Sequence, residues 1–172
     1  MIDPLGDILL AVEAESPVWS SSLRAKERRE RVAPWAPLCG ARYASGLEAI
    51  YEGYLLHHGR PRLFETGDRE AALLCGDFLY ALGLGWIAAL QDVEAIAALA
   101  DLIALAAHLR ADGGAPDGAL WAATAGFLAD RSHATAFATA KDALRRDGDD
   151  APLQALLDGR ADESLRQHAA RA

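Results

Sequence analysis

Apolar residues recur along this chain at three- and four-residue spacing, and the pattern predicts helices from end to end. Leu5, Ile8, Leu9 and Val12 mark a first short helix within Ile2 to Glu15, closed by Pro17. The stretch "LRAKERRERV" predicts a second helix with interleaved arginines and glutamates, broken by the two prolines of "APWAPLCG". A third runs from about Ala41 to His58, where Leu47, Ile50, Tyr51, Tyr54 and Leu55 form one continuous stripe and Gly59 and Pro61 supply the stop. After a loop rich in Arg, Gly and Pro comes a helix from Arg69 to Leu90, then a "QD" corner and a helix from Val93 to Arg110, which together predict a hairpin. "ADGGAPDG" is a loop, and a long helix from about Ala119 to Arg146 and a short polar one after Pro152 complete the chain. No segment alternates as a strand would and no repeat is visible, so the expectation is all-α, a single helical domain over residues 1–172 with a central apolar hairpin.

That hairpin needs a physical home. From Ala72 to Leu90 the only charge is Asp77, which nominally satisfies the length of a membrane span. Against a span, Asp77 would be costly in lipid, Asp101 and His108 interrupt the return helix, and no flanking basic cluster sets an orientation. A helix apolar nearly all round needs neighbours on several sides, and a small bundle supplies them only if a partner chain covers one face. The pattern therefore points to an oligomer with no transmembrane segment.

Composition sharpens this picture. The 172 residues suffice for a core without metals or disulfides, and 52% hydrophobic against 24% charged is globular. Seventeen basic against 25 acidic residues leave a formal charge of -8, which argues against a nucleic-acid surface. Cys39 and Cys75 have no CxxC spacing and no histidine pair completes a zinc pattern, so reduced structural thiols are expected. The first residues, "MIDPLGDILLAVEAES", carry acids where a secretory leader needs bases, which gives a cytoplasmic expectation.

Two stretches carry a resemblance. "LLHHGRPR", Leu55 to Arg62, and "ALLCGDFLYA", Ala72 to Ala81, resemble the trans-polyprenyl diphosphate synthases, in which a helix ending LLHDDxxD delivers the first aspartate-rich motif and the next carries GDxLYA. The positions of that motif's three aspartates hold His58, Gly59 and Arg62 here, so the carboxylates that would hold magnesium against a diphosphate leaving group are missing. The second motif, FQxxDDxxD, has no counterpart, and "DGDDAP", Asp147 to Pro152, reads as a solvated turn. The linking segment is shorter than in catalytic members, and the arginine pair of that loop is absent. A helical scaffold with vacated metal sites looks like the small non-catalytic component of two-component hexaprenyl or heptaprenyl diphosphate synthases. The resemblance covers about Ala44 to Leu109 and implies a regulatory subunit, without activity alone, that pairs with a DDxxD-bearing catalytic chain. It further implies a role in setting chain length in the menaquinone tail, magnesium on the partner and no cofactor on this chain. By the same resemblance the interface would involve Asp77, Tyr80, Gly83, Gly85 and Trp86, with Asp77 a buried or half-buried hydrogen-bonding group near its helix start; the other reading has Asp77 emerging to solvent.

Remaining constellations are weaker. His57 and His58 are adjacent and diverge on a helix by about 100°, which disfavours one metal between them and suits an imidazolium at the helix C-terminus. Arg60 and Arg62 could bind a diphosphate or a partner's acid, or line a solvated loop. Glu48 and Glu52 share a face at i and i+4, but no ExxH accompanies them and a di-iron site is not expected. Arg24 to Arg31 reads as a solvated face or a docking surface for an acidic partner, Trp86, Trp121 and Phe127 as packing, and adjacent Ser132 and His133 are not a nucleophile and its base. The competing function is a stand-alone helical protein that encloses a hydrophobic ligand in the apolar hairpin.

Overall fold

A computed structural model describes residues 3–111, 113 and 116–172. Among them the chain is all-helical: α1 (Pro4–Glu15), α2 (Pro17–Ser21), α3 (Ala36–Cys39), α4 (Ala44–His58), α5 (Arg69–Ala89), α6 (Val93–Ala111), α7 (Gly118–Ala129), α8 (Ala134–Asp147), α9 (Ala151–Gln154) and α10 (Asp162–Ala169). Ile2, the expected start of the first helix, and part of the "ADGGAPDG" loop lie outside the described residues.

Local chemistry explains most boundaries. Asp3 caps α1 by accepting the Gly6 amide at 3.0 Å, and Pro17, expected only to close that helix, opens α2 at a position where proline costs no hydrogen bond. Asp68 caps α5 by accepting the Ala71 amide at 2.7 Å. The corner after α5 puts Gln91 in the left-handed region with φ 56°, and Asp92 Oδ1 then accepts the Ala95 amide at 3.0 Å to begin α6. "DGDDAP" is a turn: Gly148 takes φ 67° at the end of α8, and Asp149 Oδ1 accepts the Ala151 amide at 3.0 Å.

α4 is the centre of the molecule. Every residue from Gly46 to Leu56 is buried, and the expected stripe of Leu47, Ile50, Tyr51, Tyr54 and Leu55 faces a large core of α3, α6, α7 and α8 residues. On its other side Ala49 and Leu56 join Leu5, Ile8, Val12, Leu63, Phe64, Cys75 and Leu79 in a second core. Both cysteines are free and buried, one in each core, as the spacing led us to expect.

α5 pairs along its length with α4 and meets α6 far less, while α6 packs on α7 and α4 as well. The expected hairpin is thus a corner, and the intimate antiparallel pair is α4 with α5. Two glycine pairs make that approach possible: a Cβ on Gly53 would lie 2.8 Å from the Gly76 carbonyl oxygen, and one on Gly83 would lie 2.6 Å from that of Gly46. Only residues without a side chain let two backbones come this near.

Two further sequence expectations are corrected. "LRAKERRERV" is not a helix apart from one 3-10 turn at Lys26–Arg28. It crosses the molecule as a strap: the amides of Arg24 and Glu30 donate to the carbonyls of Leu63 and Arg62 at 2.8 and 3.1 Å, and an isolated bridge joins Leu23 to Phe64. Backbone partners far along the chain outcompete a local helix with few apolar residues to bury. The single long helix expected from Ala119 to Arg146 is two, α7 and α8, broken where Asp130 Oδ1 accepts the Ser132 amide at 2.8 Å and Arg131 turns away to Asp92 and Glu94 at 3.0 and 2.7 Å.

Asp92 ties this break to the α5–α6 corner, since its carboxylate also accepts the Tyr43 hydroxyl at 2.6 Å. The Tyr43 hydrogen bond, the Ala95 amide and Arg131 bring its pKa down to about 2, against an ordinary 3.8. A depressed carboxylate contributes stability that is present above the unfolded value and is lost as pH falls through the folded one. The urea midpoints of wild type and Asp92→Asn are therefore expected to differ at pH 5 and to converge between about pH 4 and pH 2. A gap unchanged over that range would remove Asp92 from the account.

Candidate functional site

Three places bear on function: the pair of glutamates in α4, the end of α4 where the resemblance puts an aspartate-rich motif, and the outer face of α5. Glu48, Glu52 and Arg62 have no exposed surface. Arg62 Nη1 donates to Glu48 Oε2 at 2.5 Å and to the Val32 carbonyl at 2.9 Å, Nη2 donates to the Glu48 carbonyl at 3.0 Å, and Nε donates to Glu52 Oε2 at 2.8 Å. The remaining carboxylate oxygens are also filled. Glu48 Oε1 accepts the Trp35 and Ala36 amides at 2.7 and 2.9 Å, and Glu52 Oε1 accepts those of Arg62 and Leu63 at 2.8 and 2.7 Å.

Burial works against the charge on Arg62, but the two carboxylates outweigh it and hold its pKa above the ordinary arginine value. The Arg62 guanidinium also lies over the Tyr51 ring, 4.9 Å from its centroid. Every carboxylate oxygen of this clamp is buried and has a donor from its own chain, and the clamp fastens the strap and the loop after α4 onto the central helix. Arg62 is therefore neither a solvated loop residue nor a contact for a diphosphate or a partner. Its role was hidden in the sequence, although two acids inside an apolar stripe already called for a buried cation.

At the end of α4 the vacated motif positions scatter. His57 stacks on Tyr80, centroids 5.1 Å apart, with Nε2 3.2 Å from Asp77 Oδ1 but without hydrogen-bond geometry. His58 sits at the exposed helix end with Tyr54 against its ring at 5.3 Å. Partial burial, with His57 and Arg110 nearby, lowers its pKa, which works against the imidazolium expected at a helix C-terminus. Gly59 is where the C-terminal tail crosses: the Arg171 carbonyl accepts the Arg60 amide at 2.8 Å, and a Cβ on Gly59 would meet that oxygen at 2.5 Å. The Arg60 side chain pairs with Glu30, which also accepts from Arg171 at 2.7 Å. Among the described residues no group of three His, Cys, Asp or Glu side chains is placed to hold a metal, and His58, Gly59 and Arg62 do not fit the magnesium chemistry of an aspartate-rich motif.

α5 is, among the described residues, the one helix long and apolar enough to cross a membrane, and only 28% of its most apolar stretch is buried. Its inner face lies on α4. Its outer face exposes Leu74, Asp77, Ala81, Gly85 and Ala88, flanked by half-buried Phe78, Leu82, Leu84 and Trp86. Leu74 is 61% exposed. Asp77 is in the third turn rather than near the helix start, with 69% of its side chain exposed, so it surfaces to solvent. Of the expected interface residues, Gly85 belongs to the open face, while Tyr80 and Trp86 are half-buried at its edges. Gly83 does not belong there: it is buried against α4 of its own chain.

Comparison with protein families, with curated proteins and with solved structures finds no match to this chain.

Proposed function

We propose that this chain is a non-catalytic helical subunit that docks onto a partner through the outer face of α5. The observation that carries the reading is a helix of 21 residues, nearly chargeless after its first turn, with its apolar outer face uncovered. The resemblance gives the partner: a DDxxD-bearing polyprenyl diphosphate synthase subunit, which would bring the magnesium and the chemistry, while this chain helps to shape the product's length. The family's GD helix packs at a dimer face, and α5 is the helix that carries GD here. The non-catalytic part is supported by the end of α4, where Gly59 and Arg60 are closed over by Arg171 and the acids nearest the motif, Glu48 and Glu52, are spent on Arg62.

The test is to recover a tagged copy with whatever binds it and to assay the complex and the lone chain with isopentenyl diphosphate, an allylic primer and magnesium. Elongation by the complex alone is the expected result. Turnover by the lone chain, or an inert chain recovered alone or with a bound lipid, overturns the proposal, the last favouring a hydrophobic-ligand protein instead. Gly85→Leu serves as the interface variant, because a Cβ there meets nothing within 4 Å, so the fold is expected to stay intact while the docking face changes. Partner affinity is expected to fall about tenfold or more, read by titration calorimetry.

A further inference from the structure

The cleft with the largest volume described here, about 690 Å³ between the end of α6, the start of α7, the α9 region and α10, is already claimed by the chain's own side chains. Asp117, its buried acid, holds His168 Nε2 at 2.8 Å and accepts Arg110 Nη2 at 3.0 Å, and the contact fastens α10 to α7. A second cavity, about 320 Å³, lies on another side of α7, against α3, α8 and the chain from Leu156 to Ala161. It meets the lower end of the range of small-molecule sites, about 300–1,000 Å³.

The sequence of α7 makes this cavity. The helix has no charged residue from Gly118 to Ala129, and at the positions that border the cavity it carries Ala122, Ala123 and Gly126 beside Phe127. A Cβ added at Gly126 meets nothing within 4 Å, so the surface of the helix is bare there. The aromatic wall beside it is Phe127 with Phe137 of α8. Their rings stack with centroids 4.7 Å apart, and Arg131 and Lys141 lie over them at 4.5 and 4.8 Å, so their faces are taken and what they turn to the cavity is edges. A ring edge is the electropositive part of an arene and attracts the π face of another ring.

The mouth is polar, with its cation already matched. Arg160 donates to Asp158 Oδ2 through Nε and Nη2, each at 2.8 Å. Asp130 accepts the Ser132 amide at 2.8 Å, and the exposed ring of His133, at the start of α8, makes no hydrogen bond to any described residue.

We propose that this cavity binds a small neutral aromatic molecule, of about two fused rings at most, that carries an N–H or O–H donor. The faces of its ring system meet the edges of Phe127 and Phe137 over the bare surface of α7, and the donor points out to His133 and Asp130. A carboxylate in place of the donor finds Arg160 committed to Asp158 and Asp130 opposed to it. No residue of α5 lines the cavity, so this site and the docking face stand or fall separately.

Indole, phenol, cyclohexanol and benzoate are titrated into the full chain, with affinity read by calorimetry and location by nuclear magnetic resonance. Indole is expected to bind with Kd below about 1 mM, cyclohexanol about three- to tenfold more weakly than phenol, and benzoate not detectably at about 10 mM. The methyl of Ala123 and the ring of His133 are expected to shift on adding indole, and the methyls of Leu74 and Leu84 on α5 to stay. Gly126→Leu fills the bare surface and is expected to weaken indole at least about tenfold, while Tm holds or rises by up to roughly 2–4 °C because leucine is the better helix former. Gly85→Leu is expected to leave indole binding within about twofold. No indole binding at about 10 mM, cyclohexanol or benzoate as tight as phenol, undiminished binding to Gly126→Leu, or shifts confined to α5 overturns the proposal.

Discussion

Arg62→Met is expected to cost about 3–5 kcal/mol of unfolding free energy. The reason is the position of what it leaves behind. Glu48 and Glu52 have no exposed surface, and without the guanidinium two carboxylates stay in an apolar helix with only backbone amides to answer them. Domains have about 5–15 kcal/mol of stability in all, so the variant is expected to be partly unfolded at 37 °C. Urea denaturation followed by circular dichroism measures this directly. The triple variant Glu48→Gln, Glu52→Gln, Arg62→Met keeps the shapes and removes all three charges, and should recover part of the loss. A single variant within about 1 kcal/mol of wild type would mean that solvent reaches the clamp and that its charges are not buried.

The second large effect is at Gly83. Gly83→Leu drives a side chain into the Gly46 carbonyl, 2.6 Å from the first added atom, and into Ile50 Cγ1 at 2.7 Å. Backbone cannot rotate out of the way as a side chain can, so α4 and α5 must separate and the second core opens between them. A loss of about 3 kcal/mol or more is expected, a fall in Tm of roughly 6–12 °C for a chain of this size. Gly85→Leu, two residues on, should stay within about 0.5 kcal/mol of wild type because nothing lies within 4 Å of its added carbon. Thermal melts of the two variants side by side decide the matter: equal melting temperatures would deny the close approach of the two helices.

From the sequence both glycines looked alike, small residues on an apolar helix, and the difference between them shows what such reading can reach. Periodicity located α4, α5 and α6 to within a few residues, because each is long and apolar enough for local spacing to decide. It failed for Arg24 to Arg31, where the deciding partners are the carbonyls of Arg62 and Leu63, and for the α7–α8 break, where Arg131 is drawn to Asp92 and Glu94 on another element. Which face of α5 meets α4 could not be read from a helix that is apolar on every side. The acids of α4 were visible, but their cation was not, since Arg62 follows a glycine and a proline in what reads as an exposed loop. Asp117 and His168 are far apart in the chain, and no local pattern joins them.

The burial of α4 on nearly all sides has a consequence for cooperativity. One core leans on one flank of this helix and the second core on the other, and the strap, the loop after α4 and the C-terminal tail are all pinned to it or to its end. Neither core can melt and leave the other a complete wall, so the molecule has no natural line along which to come apart in stages. Anything that grips the outer surface of α5 bears on that same all-or-none equilibrium.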